Sequence, residues 1–234
     1  MRLIDLGKVT PEYSVCADRT LLNMHSCDPD DILMFYSRDR PCISVGRFQR
    51  IGDAVDTGYT VKNNISVVRR VSGGSSIYSD EDQLTYSLII SKDRLPASRD
   101  GSFAVICSAV ILGLKRLGIE GVHKPVNDIL VNGRKISGGA QARNKCAVLQ
   151  HGSIIMDIDD NIVRASLIDI KKRSYAGLTS IKECLGYIPP RDVTVDALAS
   201  GFSDVFGPAV RDKLSGEEEK RIRSSFSCSD RSGP

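Results

Sequence analysis

The chain has 234 residues, 41% hydrophobic and 26% charged, with 32 Lys and Arg against 29 Asp and Glu for a formal net charge of +3. That is enough apolar material for one large core, and too small a basic excess to argue for a nucleic-acid partner. The start of the chain, Met1–Lys8, has no extended apolar segment, and no later run approaches the roughly 20 residues of a membrane span. A cytoplasmic protein without membrane contact is the expectation.

In chain order, Thr10 or Ser14 can cap a helix running through Ala17 to Met24. Ile32–Tyr36 and Cys42–Gly46 read as strands around the charged turn 37–41, and Ile65–Arg70 as a third strand ending in two arginines. Leu84–Ile90 alternates and is rich in β-formers. From Phe103 to Leu117 the apolar residues share one helical face, and Gly118 is placed to end the helix. A hairpin over Asp128–Val131 and Arg134–Ser137 follows, then strands near 147–150 and 153–156. Leu198–Phe206 reads as a helix stopped by Gly207–Pro208, and Glu217–Arg223 as a charged helix. Beyond it, Ser224–Pro234 is expected to fray. The predicted organisation is a mixed α and β domain over 1–212 and a charged helix with a disordered tail over 213–234.

Seven cysteines (Cys16, Cys27, Cys42, Cys107, Cys146, Cys184 and Cys228) are scattered without a Cys-x-x-Cys pair. Reduced thiols fit better than a disulfide framework or a zinc site.

Two stretches read together as one site for an activated carboxylic acid. Arg69–Ser76 joins guanidinium groups to a glycine turn whose N–H groups can face an anion. Lys124–Gln141 places Asn127 and Asp128 before an apolar run, turns at Asn132–Gly133 and returns with Lys135 followed by small residues. Lys135 can set one compact cation where negative charge concentrates during acyl activation. Gly73 and Gly74 let backbone approach a ligand closely. A plain hairpin turn explains those glycines equally well. Asn127 and Asp128 can orient a ligand or a magnesium ion, or simply initiate a turn.

Arg69–Arg70 with Ser72–Gly74, then Leu84–Ser87, Asn127–Asp128, Gly133–Gly138, Ala140–Gln141 and His151–Gly152 resemble the lipoate-protein ligase family, within the biotin and lipoate ligase superfamily. The resemblance implies an α/β domain of the α+β type, with mixed, mostly antiparallel sheets packed with helices. It implies ATP-dependent activation of lipoate to lipoyl-adenylate with Mg2+, and transfer to a lysine of a lipoyl-domain acceptor. Such acceptors are 2-oxoacid dehydrogenase complexes or the glycine cleavage H protein. On this resemblance Lys135 is catalytic, and Arg70, Ser75, Ser76, Ile77, Tyr78 and Lys135 bind the nucleotide. Ser72, Gly73, Gly74, Lys135, Gly138, Ala140 and His151 bind lipoate, Asp128 holds the metal, and Asn127 orients.

Ser75 stands where these ligases usually carry a third glycine, and Ser79 where a histidine precedes the aspartate. The C-terminal accessory domain of fully active ligases has no counterpart here, so a separate accessory protein is an expected partner. An octanoyl or lipoyl transferase, which uses a cysteine thioester without ATP, is the alternative, with Cys146 as its candidate nucleophile and Cys107 better placed in the core. Biotin ligation is suggested by Lys124–Lys135, but Ser137–Gln141 and the double arginine favour lipoate. A non-enzymatic acyl- or nucleotide-binding subunit is a further alternative.

Overall fold

A period of two along the central strands divides the apolar residues between two faces of one sheet, and helices cover both. The computed structural model describes residues 1–25, 30–168 and 177–229. Strand β1 (Arg2–Val9) leads into α1 (Pro11–Met24), β2 (Ile32–Arg38), β3 (Cys42–Val45), α2 (Ile51–Ala54), α3 (Thr57–Lys62), β4 (Ser66–Arg69), β5 (Ile77–Ser79) and β6 (Gln83–Ser91). Then come α4 (Arg99–Arg116), β7 (Val122–Lys124), β8 (Asp128–Val131), β9 (Arg134–Arg143), β10 (Ala147–Ile155), α5 (Asp160–Ser166), α6 (Ile181–Leu185), α7 (Arg191–Phe206), β11 (Val210–Asp212) and α8 (Gly216–Ser229).

Among the described residues, an eight-stranded sheet has the order β11-β1-β2-β6-β10-β9-β8-β7, and a three-stranded sheet the order β4-β3-β5. Pairing is parallel at β11–β1, β1–β2 and β3–β4 and antiparallel elsewhere, which is the mixed, mostly antiparallel architecture expected. Leu33, Phe35, Leu88 and Ile90 point to a core shared with α4 and α7. Their neighbours Ile32, Met34, Tyr36 and Ile89 point the other way, toward α1 and Ile222 of α8. Each large side chain buried this way contributes about 1.5–3 kcal/mol of transfer free energy. A third cluster, built on Ile43, Val45, Tyr78, Val163 and Leu167, joins the small sheet to α5.

Several boundaries differ from expectation. Strand β1 was not anticipated, because charged residues and Gly7 interrupt its apolar pattern; Gly7 adopts φ +66° beside a register shift. The two strands expected over 147–156 are one, since Gly152 stays in register opposite Tyr86 and Gly139. Thr10 caps α1 by accepting from the Tyr13 N–H at 3.1 Å. Helix α7 begins at Arg191, seven residues before the apolar run that announced it. Helix α8 continues to Ser229 rather than fraying from Ser224. Buried Ile222 and the 2.6 Å bond from the Tyr13 hydroxyl to Glu219 dock it on α1. The rest of the expected tail, 230–234, and Cys27 lie outside the described residues.

Candidate active site

The β8–β9 hairpin turns at Asn132 and Gly133 with φ of 51° and 78°, the left-handed pair of a two-residue hairpin. Regular pairing would then put Ile129 opposite Ile136, but Ile129 faces Ser137 and Asp128 faces Gly138. The extra residue is a bulge that sends Ile136 into the core and brings Lys135 to the same face as Gly138. Lys135 Nζ pairs there with Asp128 Oδ1 at 2.7 Å. A Cβ on Gly138 would collide with the Lys135 Cε and Nζ, so this glycine is what admits the pair. Asn127 braces the strand, its Nδ2 donating to Gly139 O at 2.5 Å while its own carbonyl accepts from Gly139 N at 3.0 Å.

Opposite, β4 delivers Arg69 and Arg70 to the glycine turn. Arg70 is buried and donates to Ser44 O (2.7 Å), Gly73 O (2.6 Å), Ser75 O (2.8 Å) and Ser72 Oγ (3.0 Å). Arg69 binds the carbonyls of Gly46 and Gln49. Both guanidinium groups therefore shape the loop. Ser72 Oγ lies 2.6 Å from His151 Nε2, and His151 Nδ1 lies 2.6 Å from Oδ2 of buried Asp18. Asp18 also accepts from Ser87 Oγ at 2.7 Å and from the Tyr36 hydroxyl at 3.2 Å. Ser79 contacts the buried Arg38 guanidinium, a structural position.

These walls enclose a cavity of about 600 Å³. Of the residues expected from sequence, Arg70, Gly74, Ser75, Ser76, Ile77 and Tyr78 line one side, and Asn127, Asp128, Lys135, Gly138, Ala140 and His151 the other. Ser72 and Gly73 are not in the lining; Ser72 is buried behind it. Ile155, Ile158, Val163, Leu167 and Leu178 give an apolar stretch suited to an alkyl chain. Lys124 and Gln49 also line the cavity and were not singled out beforehand, and Asp18 was missed. The signal for Asp18 was a lone carboxylate on the buried face of an amphipathic helix.

Asp128 was expected to hold a metal, but its carboxylate is engaged by Lys135. No group of three or more His, Cys, Asp or Glu that could hold a metal ion occurs among the described residues.

No cysteine is found among the described residues lining the cavity. Cys146 is disulfide-bonded, not a reduced thiol, and immediately precedes β10, five residues before His151, roughly 17 Å at strand rise. That removes it as the nucleophile. Cys107 is buried in the core, and burial together with the Asp128 charge pushes its thiol up to about 12.

A family model described as the lipoyl protein ligase A/B catalytic domain matches residues 10–207. Among curated relatives, an octanoyltransferase LipM of Halalkalibacterium halodurans is 32% identical, covering 68% of this chain and 67% of its own. One from Bacillus subtilis is 31% identical, covering 88% and 84%. Among solved structures, a bi-partite lipoate protein ligase from Thermoplasma acidophilum superposes with a TM-score of 0.86 at 26% identity, over 97% of this chain and 91% of that one. A lipoate-protein ligase A bound with ATP gives the same score and identity over 97% and 94%. The expectation of an ATP-dependent, adenylate-forming lipoate ligase is corrected by the sequence relatives, which are octanoyltransferases. Lipoate-related protein modification is what both comparisons share.

Proposed function

The chain belongs to the lipoyl protein ligase A/B catalytic-domain family, and from that premise we propose that it is an octanoyltransferase. It moves a medium-chain acyl group from an acyl thioester to a lysine amine of a lipoyl-domain protein, without ATP. The observation that carries this reading is sequence kinship with octanoyltransferases over most of their length. A relative of this fold with bound lipoic acid supports an acyl chain of that size in the cavity.

The chemistry asks little of the protein beyond placement and charge. The separate lining residues Ile155, Ile158, Val163, Leu167 and Leu178 seat the alkyl chain, and Lys135, in the same lining, takes the acyl carbonyl. As a nucleophile adds, negative charge develops on the carbonyl oxygen, and the Lys135 ammonium, held by Asp128, stabilises it. Collapse breaks the C–S bond and releases the donor thiol, and the acceptor lysine ends as an amide. Resemblance to part of a bi-partite ligase supports a second polypeptide as an activator, supplied as one arm of the assay.

The test is the mass of an acceptor lipoyl domain incubated with the chain and octanoyl-pantetheine in nucleotide-free buffer. One octanoyl group per acceptor is expected, and Lys135→Ala slows its appearance by about 10²–10³-fold, the cost of removing one such charge-stabilising donor. An acceptor left unmodified with and without the second polypeptide would refute the reading.

A further inference from the structure

We propose that Arg38 and Ser44 form an oxyanion-binding subsite in the cavity, separate from Lys135 and going beyond the transferase reading above. Arg38 is the last residue of β2 and only 5% exposed, yet it lines the cavity. A guanidinium does not lose its proton in a protein, so its burial cannot be relieved that way and calls for an anion beside it. The fold places none in contact. Arg38 Nε donates to Ser14 Oγ at 3.4 Å and Nη1 to Ser79 Oγ, both neutral, and Nη2 donates to no described residue. Asp18, reached by Tyr36 two residues earlier on β2, is taken up by His151, Ser87 and that tyrosine, and acts on Arg38 only through space.

Ser44 points to the same place by a separate route. On β3, Cys42 and Ser44 are two residues apart and share one face of the small sheet, and Ser79, the partner of Arg38, sits opposite Cys42 in the register. Ser44 lines the cavity, is 1% exposed, and its Oγ bonds to no described residue. A buried hydroxyl without a partner is costly, and one at a cavity wall is satisfied by what enters the cavity. Arg70 brings a second guanidinium to the spot, its Nη1 donating to Ser44 O at 2.7 Å. The planar N–H donors of Arg38 and the Ser44 hydroxyl match the oxygens of a carboxylate or a phosphate. Two sources carry such an oxyanion into the cavity: a free medium-chain acid, through its carboxylate, and a phosphopantetheine arm, through its phosphate.

Calorimetric titration of the full chain compares two matched pairs of probes, octanoate with octanamide and 4′-phosphopantetheine with pantetheine. Wild type is expected to bind the charged member of at least one pair about ten- to a hundredfold more tightly than its neutral match, the worth of hydrogen bonds to a charged group. The pair that shows the preference identifies the source. Arg38→Gln brings the two members level, Arg38→Lys restores part of the difference, and Lys135→Ala keeps it. Ser44→Ala, which leaves the guanidinium in place, reduces the preference by about threefold or more. Equal affinity within both pairs in wild type, or a preference undiminished by Arg38→Gln or by Ser44→Ala, would overturn the inference. Either result leaves the transferase reading to be judged separately, by the mass of the acceptor.

Discussion

Lys135 owes its place to three neighbours, and only one was legible. Its position two residues after Asn132–Gly133 marks it on the return strand of a hairpin, as read from sequence. The bulge that turns it toward Gly138 depends on the core accepting Ile136, which no local pattern reveals. We expect Gly138→Ala to displace the Lys135 ammonium, the far end of a flexible side chain. Transfer should therefore fall by more than tenfold with the urea midpoint nearly unchanged; a loss of stability matching the loss of rate would contradict this. Arg70 was legible as a site residue but not in its role, because its carbonyl partners come from a fold-dependent loop. Cys146 shows the reverse. Its identity invited a nucleophile, whereas its disulfide and its distance from the cavity make it structural. Cys146→Ser should cost about 2–4 kcal/mol in chemical denaturation while leaving the single-turnover transfer rate intact.

Elements with strong internal periodicity were readable, and those fixed by a neighbour were not. Helix α4 declared itself from Phe103 onward, but its polar first turn, capped by Ser98 accepting from Gly101 N, did not. Helix α7 hid its first half because Arg191–Asp196 mixes polar residues with the buried Thr194 and Val195. The two helices meet at glycines. A Cβ on Gly113 would lie 2.7 Å from Leu198 Cα, and one on Gly201 would overlap the backbone of Ala109 and Gly113. Since the obstacle is backbone, Gly201→Ala should cost about 1–3 kcal/mol or more of unfolding free energy by urea titration, with the cavity residues untouched. A neutral result would show that the helices separate freely.

At the scale of the whole molecule, the two ends of the chain close the structure around α1, the helix that carries Asp18. Strand β1 lies between β2 and β11, a pairing of residues some two hundred positions apart that sequence patterning cannot disclose. Arg2 ties the ends, contacting Asp212 and Glu218 at 2.6 Å each. Burial raises the Glu218 carboxyl, but the Arg2 and Ser215 hydrogen bonds outweigh it and hold the group below its ordinary range. A value depressed by folding stabilises the protein above the ordinary carboxylate range, and that stabilisation is lost as pH falls through the depressed value. Glu218→Gln should therefore lower the melting temperature at neutral pH, with the gap to wild type closing in acid; a gap that persists at low pH would remove the ion pair from this role.

Acyl transfer without adenylation is tested most directly with one acceptor lipoyl domain and two donors in parallel. Octanoyl-pantetheine is supplied with a nucleotide-depleting enzyme, and free octanoate with ATP and magnesium, each with wild type and with Lys135→Ala. Octanoylated acceptor from the thioester alone, slowed by Lys135→Ala, is the predicted result. Acceptor modified only from free octanoate with ATP would contradict it.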